Sequence, residues 1–244
     1  CAEKIIAHLS RYQITEDVTF NDRSPELGTL LITGPRAADV ATRAFPAAAA
    51  MSTSPSVTET SIDSGTLQIR RHDLLRVPGF IVVAAPSVID DCRGRLVAAG
   101  AVPAGRSTFE ALRIEAGFPQ YGVDITDANL AQEASRTAQA ISFTKGCYLG
   151  QEPIARIDAL GHVNRQLRGL QLAGGPVPAP GSEVLTPGLE PRKIGEVTSA
   201  AMSYGTDRPV ALAYVRRGFE VPGAALEVRV NTATVPAVVF WPGD

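Results

Sequence analysis

From residue 164 onward the chain breaks into short apolar-alternating runs set apart by glycine and proline: NRQLRGLQL, KIGEVTSAA, PVALAYVRR, LEVRV and ATVPAVVF. These are strand patterns, and strands so short leave unpaired edges unless their sheet closes or stacks on another. The pattern therefore predicts a small antiparallel barrel or sandwich over 164–244. The segment AGGPVPAPGSEVLTPGLEPRK (173–193) reads as loops inside that barrel rather than as a linker, because a strand already precedes it. A chain of 244 residues is long enough for two domains, so 1–163 is expected to form a separate α+β region.

Within that region the helix and strand signals alternate. GTLLITG (28–34) is an apolar strand stopped by Gly34-Pro35, and PRAADVATRAF reads as a helix with Pro35 in its first turn. Residues 46–61, rich in alanine, serine and threonine, read as loop. TLQIRRH and GFIVVAA are strand candidates on either side of Pro78-Gly79. Val88, Ile89, Cys92 and Leu96 then recur at helical spacing, which places Cys92 on a core-facing stripe. In STFEALRIEAG (107–117), Ser107 and Glu110 form a capping-box pattern and Gly117 a C-terminal stop. Residues 118–140 look irregular, and a further helix is expected from Gln151, through Pro153 in its first turn, to Gly161.

Composition removes several function classes. A formal charge of -2 offers no basic face for nucleic acid or anionic membrane, although arginines pair at 70–71 and 216–217. No apolar run reaches the length of a membrane span, and no signal pattern opens the chain. The three cysteines, Cys1, Cys92 and Cys147, have neither disulfide nor zinc spacing, which fits a reducing cytosol. His8, His72 and His162 lie too far apart to resemble a metal set, and no phosphate loop or nucleophile elbow occurs. The chain opens at Cys1 inside a helical pattern with no capping residue, the look of a piece of a longer or processed protein.

Two places remain where chemistry is plausible. ISFTKGCYLGQEPIAR (141–156) puts one of three lysines, Lys145, two residues before Cys147, with Gly146 and Gly150 on either side of Cys147-Tyr148. A nearby cation and a helix N-terminus both favour the thiolate, and the glycines allow a sharp turn that exposes sulfur. Free cysteine is also among the most buried residue types, and spacing alone leaves both readings open. In LRIEAG, Arg113 and Glu115 would be unremarkable on a solvated face. A partly buried carboxylate on a rigid helix can instead accept two adjacent N–H groups of an amino-pterin ring.

These residues together resemble the YgfZ family of folate-binding proteins, which serve iron–sulfur cluster assembly or repair. The likeness is carried by KGCYLGQE (145–152), RIEAGFPQYGVDIT (113–126), NLAQEA (129–134), GHVNRQLRGL (161–170), KIGEVTSAA and ALAYVRR, in the family's order and at about its spacing. The wider superfamily includes the glycine-cleavage T-protein, a tetrahydrofolate-dependent aminomethyltransferase. The resemblance implies an α+β, T-protein-like folate-binding region with a small C-terminal antiparallel β-barrel. It implies tetrahydrofolate, or a one-carbon derivative, as cofactor, and iron–sulfur enzymes or their assembly factors as partners. Cys147 matches the motif cysteine on which the family's function depends, with Lys145 as its companion in the reactive turn. Tyr148, Gln151 and Glu152 accompany them, and Glu115 matches the carboxylate that recognises the pterin, with Arg113 beside it. No metal ligand is implied.

Pro153 departs from the family, which more often has an aliphatic residue there. Full-length relatives begin roughly one small domain earlier, and that part holds much of the folate pocket and, in the transferases, an essential aspartate. Three functions stand as expectations. The first is a tetrahydrofolate-binding accessory to iron–sulfur assembly or repair acting through Cys147. The alternative is an aminomethyltransferase of the T-protein type, and the third is a module that has lost ligand function through truncation. The KGCYLGQE turn separates the first two, because T-proteins do not carry it.

Overall fold

The computed structural model describes residues 2–240. Cys1, on which the reading of a truncated start partly rests, lies outside them. Contacts divide the chain into two compact units, Cys1–Pro103 and Ala104–Asp244. This division follows packing, whereas the sequence boundary at 163/164 follows a change of pattern, so residues 104–163 share a unit with the C-terminal strands.

The first unit opens with helix α1 (Ala2–Ser10), which buries none of its residues. Strand β1 (Gly28–Thr33) leads to helix α2 (Ala37–Ala44), with Pro35 just ahead of the helix rather than in its first turn. Strands β2 (Ser56–Ile62), β3 (Gly65–Arg71) and β4 (Gly79–Ala84) follow, and helix α3 (Pro86–Ala98) completes the unit. The sheet is antiparallel throughout, in the order β1-β4-β3-β2. Its core joins Leu67, Ile69, Phe80 and Val82 of the sheet to Val40 and Ala41 of α2 and Val88, Cys92 and Leu96 of α3. The loop expected over 46–61 is corrected: 46–50 form a 3-10 turn and 56–62 form β2. Thr58, Thr60 and Ser61 looked like loop residues, yet β2 is an edge strand paired to β3 along its whole length, and none of its residues is buried. A half-solvated edge tolerates such polar residues, and threonine suits the pleat.

The second unit begins with helix α4 (Arg106–Glu115), passes through mostly irregular chain with a 3-10 turn at Ala131–Ala134, and continues with helices α5 (Thr137–Ala140) and α6 (Gln151–Leu160). Strands β5 (Arg165–Leu172), β6 (Glu183–Leu185), β7 (Lys193–Met202), β8 (Pro209–Arg216), β9 (Ala225–Val230) and β10 (Ala233–Phe240) close into an antiparallel barrel, in the order β10-β5-β8-β7-β6-β9. Closure leaves no edge exposed, as the short strands required. The segment 173–193 is loop within the barrel, except for the short β6 and for Lys193, which opens β7.

Strand β8 is buried on both faces. Ala211, Ala213 and Val215 point into the barrel with Leu170, Val197 and Val228, while Val210, Leu212 and Tyr214 pack outside it with Leu167 and with Ile114 of α4. This second layer fixes α4 on the barrel wall, beside β7 and β8.

Candidate functional site

Helix α4 ends as its sequence predicts and starts as it does not. Gly117, at φ +65°, carries the left-handed turn; the Phe118 N–H donates to the Arg113 carbonyl at 2.7 Å and the Gly117 N–H to that of Ile114 at 3.0 Å. This is a Schellman ending. The expected capping box is corrected: Gly105 occupies the N-cap position, Ser107 lies inside the helix, and no side chain caps it. Glu110 instead accepts from Arg113, at 2.8 Å from Nε and 2.7 Å from an Nη. An ion pair with a buried guanidinium outcompetes a single bond to an exposed backbone N–H.

Arg113 is buried, and its guanidinium reaches Asp124 at 2.7 Å as well as Glu110. Asp124 is buried too, and accepts from the Gln120 N–H at 2.9 Å, Thr198 Oγ1 at 2.5 Å and Ser199 Oγ at 2.6 Å. The carboxylate thereby ties the end of α4, the 118–125 loop and strand β7 into one buried knot. Arg113 is occupied by protein partners, so its relation to any ligand runs through the placement of α4.

Glu115, two residues on, is different. Its Oε1 is buried and has no protein donor among the described residues. A buried carboxylate oxygen without a donor is costly unless something supplies one. The N–H groups of a pterin are donors of that kind, so the residue fits the group that the resemblance implies.

The KGCYLGQE turn is built around Gly150. This residue sits at φ +84° immediately before α6, a conformation that costs a side chain strain and glycine none. The Gln151 side chain caps the turn by accepting from the Tyr148 N–H at 3.2 Å, and the Tyr148 carbonyl accepts from the Gln151 N–H at 3.3 Å. Pro153 falls in the first turn of α6, where its missing N–H has no intrahelical partner to lose. Gly161, at φ +73°, ends the helix as expected.

Cys147 is exposed, in contrast to the fully buried Cys92, whose thiol pKa is pushed up by burial and then by Asp91. Beside the turn lies an open cleft of about 430 Å³, lined by Lys145, Tyr148, Gln151 and Glu152 together with Phe143. The Lys145 ammonium stands 4.4 Å from the centroid of the Tyr148 ring, a cation–π contact, and no hydrogen bond or ion pair joins it to Cys147 among the described residues. Four of the seven residues singled out in the sequence thus meet in one cleft. Cys147 stands on the same turn, between Lys145 and Tyr148, but does not itself line the cleft, and Glu115 and Arg113, which belong to α4, do not line it either.

The turn is anchored through contacts that spacing does not reveal. Gln132 Nε2 donates to the Ile154 carbonyl of α6 at 2.9 Å, and the neighbouring Glu133, itself buried, accepts from Arg165 of β5 at 3.1 and 3.3 Å. Glu133 lies within NLAQEA and Arg165 within GHVNRQLRGL, but only folding brings the two together. Among the described residues, no group of three His, Cys, Asp or Glu is placed to hold a metal ion, and no helix is long and apolar enough to cross a membrane.

Comparison with known proteins agrees with this architecture. The GCVT N-terminal domain family matches residues 1–145, and the glycine cleavage T-protein C-terminal barrel domain matches residues 165–242. Among curated proteins, an aminomethyltransferase of Herpetosiphon aurantiacus is 28% identical over 98% of this chain and 65% of its own length. One from Thermus thermophilus is 31% identical over 97% of this chain and 64% of its own. One from a Nostoc species is 35% identical over 66% of this chain and 42% of its own. The chain therefore spans less than two thirds of the length of these relatives. Among solved structures, the glycine cleavage system aminomethyltransferase T of Bartonella henselae superimposes with a TM-score of 0.80 at 21% identity, over 99% of this chain and 65% of that one. That likeness is one of fold, a T-protein-like fold with its closed barrel.

Proposed function

The chain belongs to the glycine-cleavage T-protein family, and from that membership we propose that it binds tetrahydrofolate, the family's cofactor, with Glu115 holding the pterin. The observation that carries the proposal is the buried, undonated Oε1 of Glu115 at the end of a helix clamped to the barrel. Arg113 acts as a positioning residue: its bonds to Asp124 and Glu110 hold the last turn of α4, and so the carboxylate, in place. Tetrahydrofolate, when bound, supplies the nitrogens that carry a one-carbon unit. The protein supplies a fixed acceptor for the ring N–H groups.

Two readings of the step after binding have separate support. The relatives are named aminomethyltransferases, which matches the alternative expectation, T-protein-type aminomethyl transfer, better than the leading one. The second reading, an accessory role in iron–sulfur cluster assembly or repair, rests on Cys147 and its KGCYLGQE turn. An exposed thiol on a glycine-shaped turn, beside a cleft lined by Lys145, Tyr148, Gln151 and Glu152, is the arrangement that thiol chemistry on a protein client requires.

Calorimetric titration with tetrahydrofolate tests the shared premise. Glu115→Gln keeps the shape and removes the charge, and a charged hydrogen bond is worth roughly 1.5–3 kcal/mol, so binding should weaken about tenfold to a hundredfold. Equal affinity in the two proteins would remove Glu115 from the pterin site. Cells lacking the protein then separate the two readings. Loss of iron–sulfur enzyme activity rescued by wild type but not by Cys147→Ala supports the accessory role. Rescue by both proteins, with glycine-dependent aminomethyl transfer intact, supports the transferase.

A further inference from the structure

A second cleft, of about 500 Å³, opens against strands β5, β7 and β8 and is used by neither reading above. Its charged lining comprises Arg165, Lys193 and Arg216 against Glu133 and Glu196, and the Tyr214 side chain also lines it. Tyr214 is 7% exposed, and its hydroxyl is buried with no protein partner among the described residues. The groups around it are largely matched. Glu133 takes Nε and one Nη of Arg165, Glu196 takes Lys193 at 2.9 Å, and the Arg165 guanidinium stacks on the Tyr214 ring at 4.9 Å. Arg216, one of the three cations, has no carboxylate partner among the described residues, and neither has the second Nη of Arg165.

We propose that this cleft is a binding site for a small, singly charged carboxylate, with the Tyr214 hydroxyl and the free Nη of Arg165 donating to its oxygens and Arg216 supplying the balancing charge. Three cations against two carboxylates leave one positive charge, which a monoanion neutralises. A phosphate dianion would overshoot that charge, with Glu133 and Glu196 close by to repel it. The hydroxyl is suited to donate at any physiological pH. Burial, and after it the charge of Glu133, push the Tyr214 pKa up to about 12, so the proton stays on the oxygen.

The site is tested by titrating the isotopically labelled protein with sodium acetate at pH 7, sodium chloride holding the ionic strength constant. Saturable shifts are expected at the Arg165 Nε–H and at the amides of 193–196 and 214–216. Tyr214→Phe, which keeps the ring packing, should weaken acetate binding at least about tenfold, the worth of one charged hydrogen bond, and Arg216→Gln, at an exposed position, by about two- to fivefold, the worth of an exposed charge. Shifts that fail to saturate, or acetate affinity unchanged in Arg216→Gln, overturn the site. Inorganic phosphate binding as tightly as acetate overturns the carboxylate assignment. If Tyr214→Phe loses its dispersed spectrum, Arg216→Gln decides alone.

Discussion

The buried knot at Asp124 should be the most sensitive polar point in the second unit. Asp124→Ala leaves Arg113, only 1% exposed, with one carboxylate in place of two. Removing one member of a buried ion pair costs about 3–5 kcal/mol, because the partner is left buried and uncompensated. Glu110 still reaches Arg113 at 2.7 Å but is itself 26% exposed, which points to the lower part of that range. Thr198 retains a second acceptor in the Leu212 carbonyl at 3.2 Å, so its hydroxyl adds little. Ser199 and the Gln120 N–H lose their acceptor, and each adds about 1 kcal/mol. The expected loss is therefore about 5 kcal/mol, equivalent to a fall in Tm of roughly 10–20 °C for a chain of this size. Asp124→Asn keeps one acceptor oxygen and turns two N–H groups toward hydroxyls able to accept, so its cost should be about half as large. Urea titration by circular dichroism measures both, with hydrogen exchange of the β8 amides assigning the transition to this unit. Pairing Asp124→Leu with Arg113→Met should recover about 2 kcal/mol or more relative to the sum of the single changes, since apolar replacement removes both desolvated charges. A loss below about 1 kcal/mol for Asp124→Ala, the scale of an exposed pair, would refute the reasoning.

Two further outcomes are expected. Tyr214 should ionise near pH 12, above the ordinary range of a phenol, in a titration of phenolate absorbance. Its folded pKa lies above the unfolded value, so its contribution to stability is complete below about pH 10 and is lost as pH rises through the folded value; ionisation of Tyr214 near pH 10 would contradict its burial. Mass-mapped alkylation at pH 8 should modify Cys147 at least about a hundredfold faster than Cys92, because a thiol must be both reachable and ionised; faster labelling of Cys92 would overturn the assignment of the reactive turn.

What the sequence discloses depends on how many faces a segment buries. The barrel was legible because its inward residues must be apolar, and alternation in LEVRV announces one wet and one dry face. Strand β2 was hidden for the opposite reason: an edge strand of serine and threonine with no buried residue has little to distinguish it from a loop. The capping box misled because Glu110 has two suitors, and the buried Arg113 is the stronger. In the candidate site, the KGCYLGQE turn could be read because its residues are neighbours in the chain. The cleft beside β8 could not, since Glu133, Arg165, Glu196 and Tyr214 meet only after the barrel closes.

The doubly buried β8 has a consequence for how the chain reaches its native state. Seven consecutive residues, Pro209–Val215, are buried, and none carries a charge. Before the barrel closes, that run is a sticky, strand-prone segment of the length that seeds intermolecular pairing. Arg208 stands before it and Arg216 and Arg217 after it, so pairing two copies of the run in register also stacks like charges. The arginines at the ends of β8 then serve the unfinished chain as gatekeepers, and neutralising all three should show first as insoluble product during synthesis, before any change in the melting of protein that has already folded.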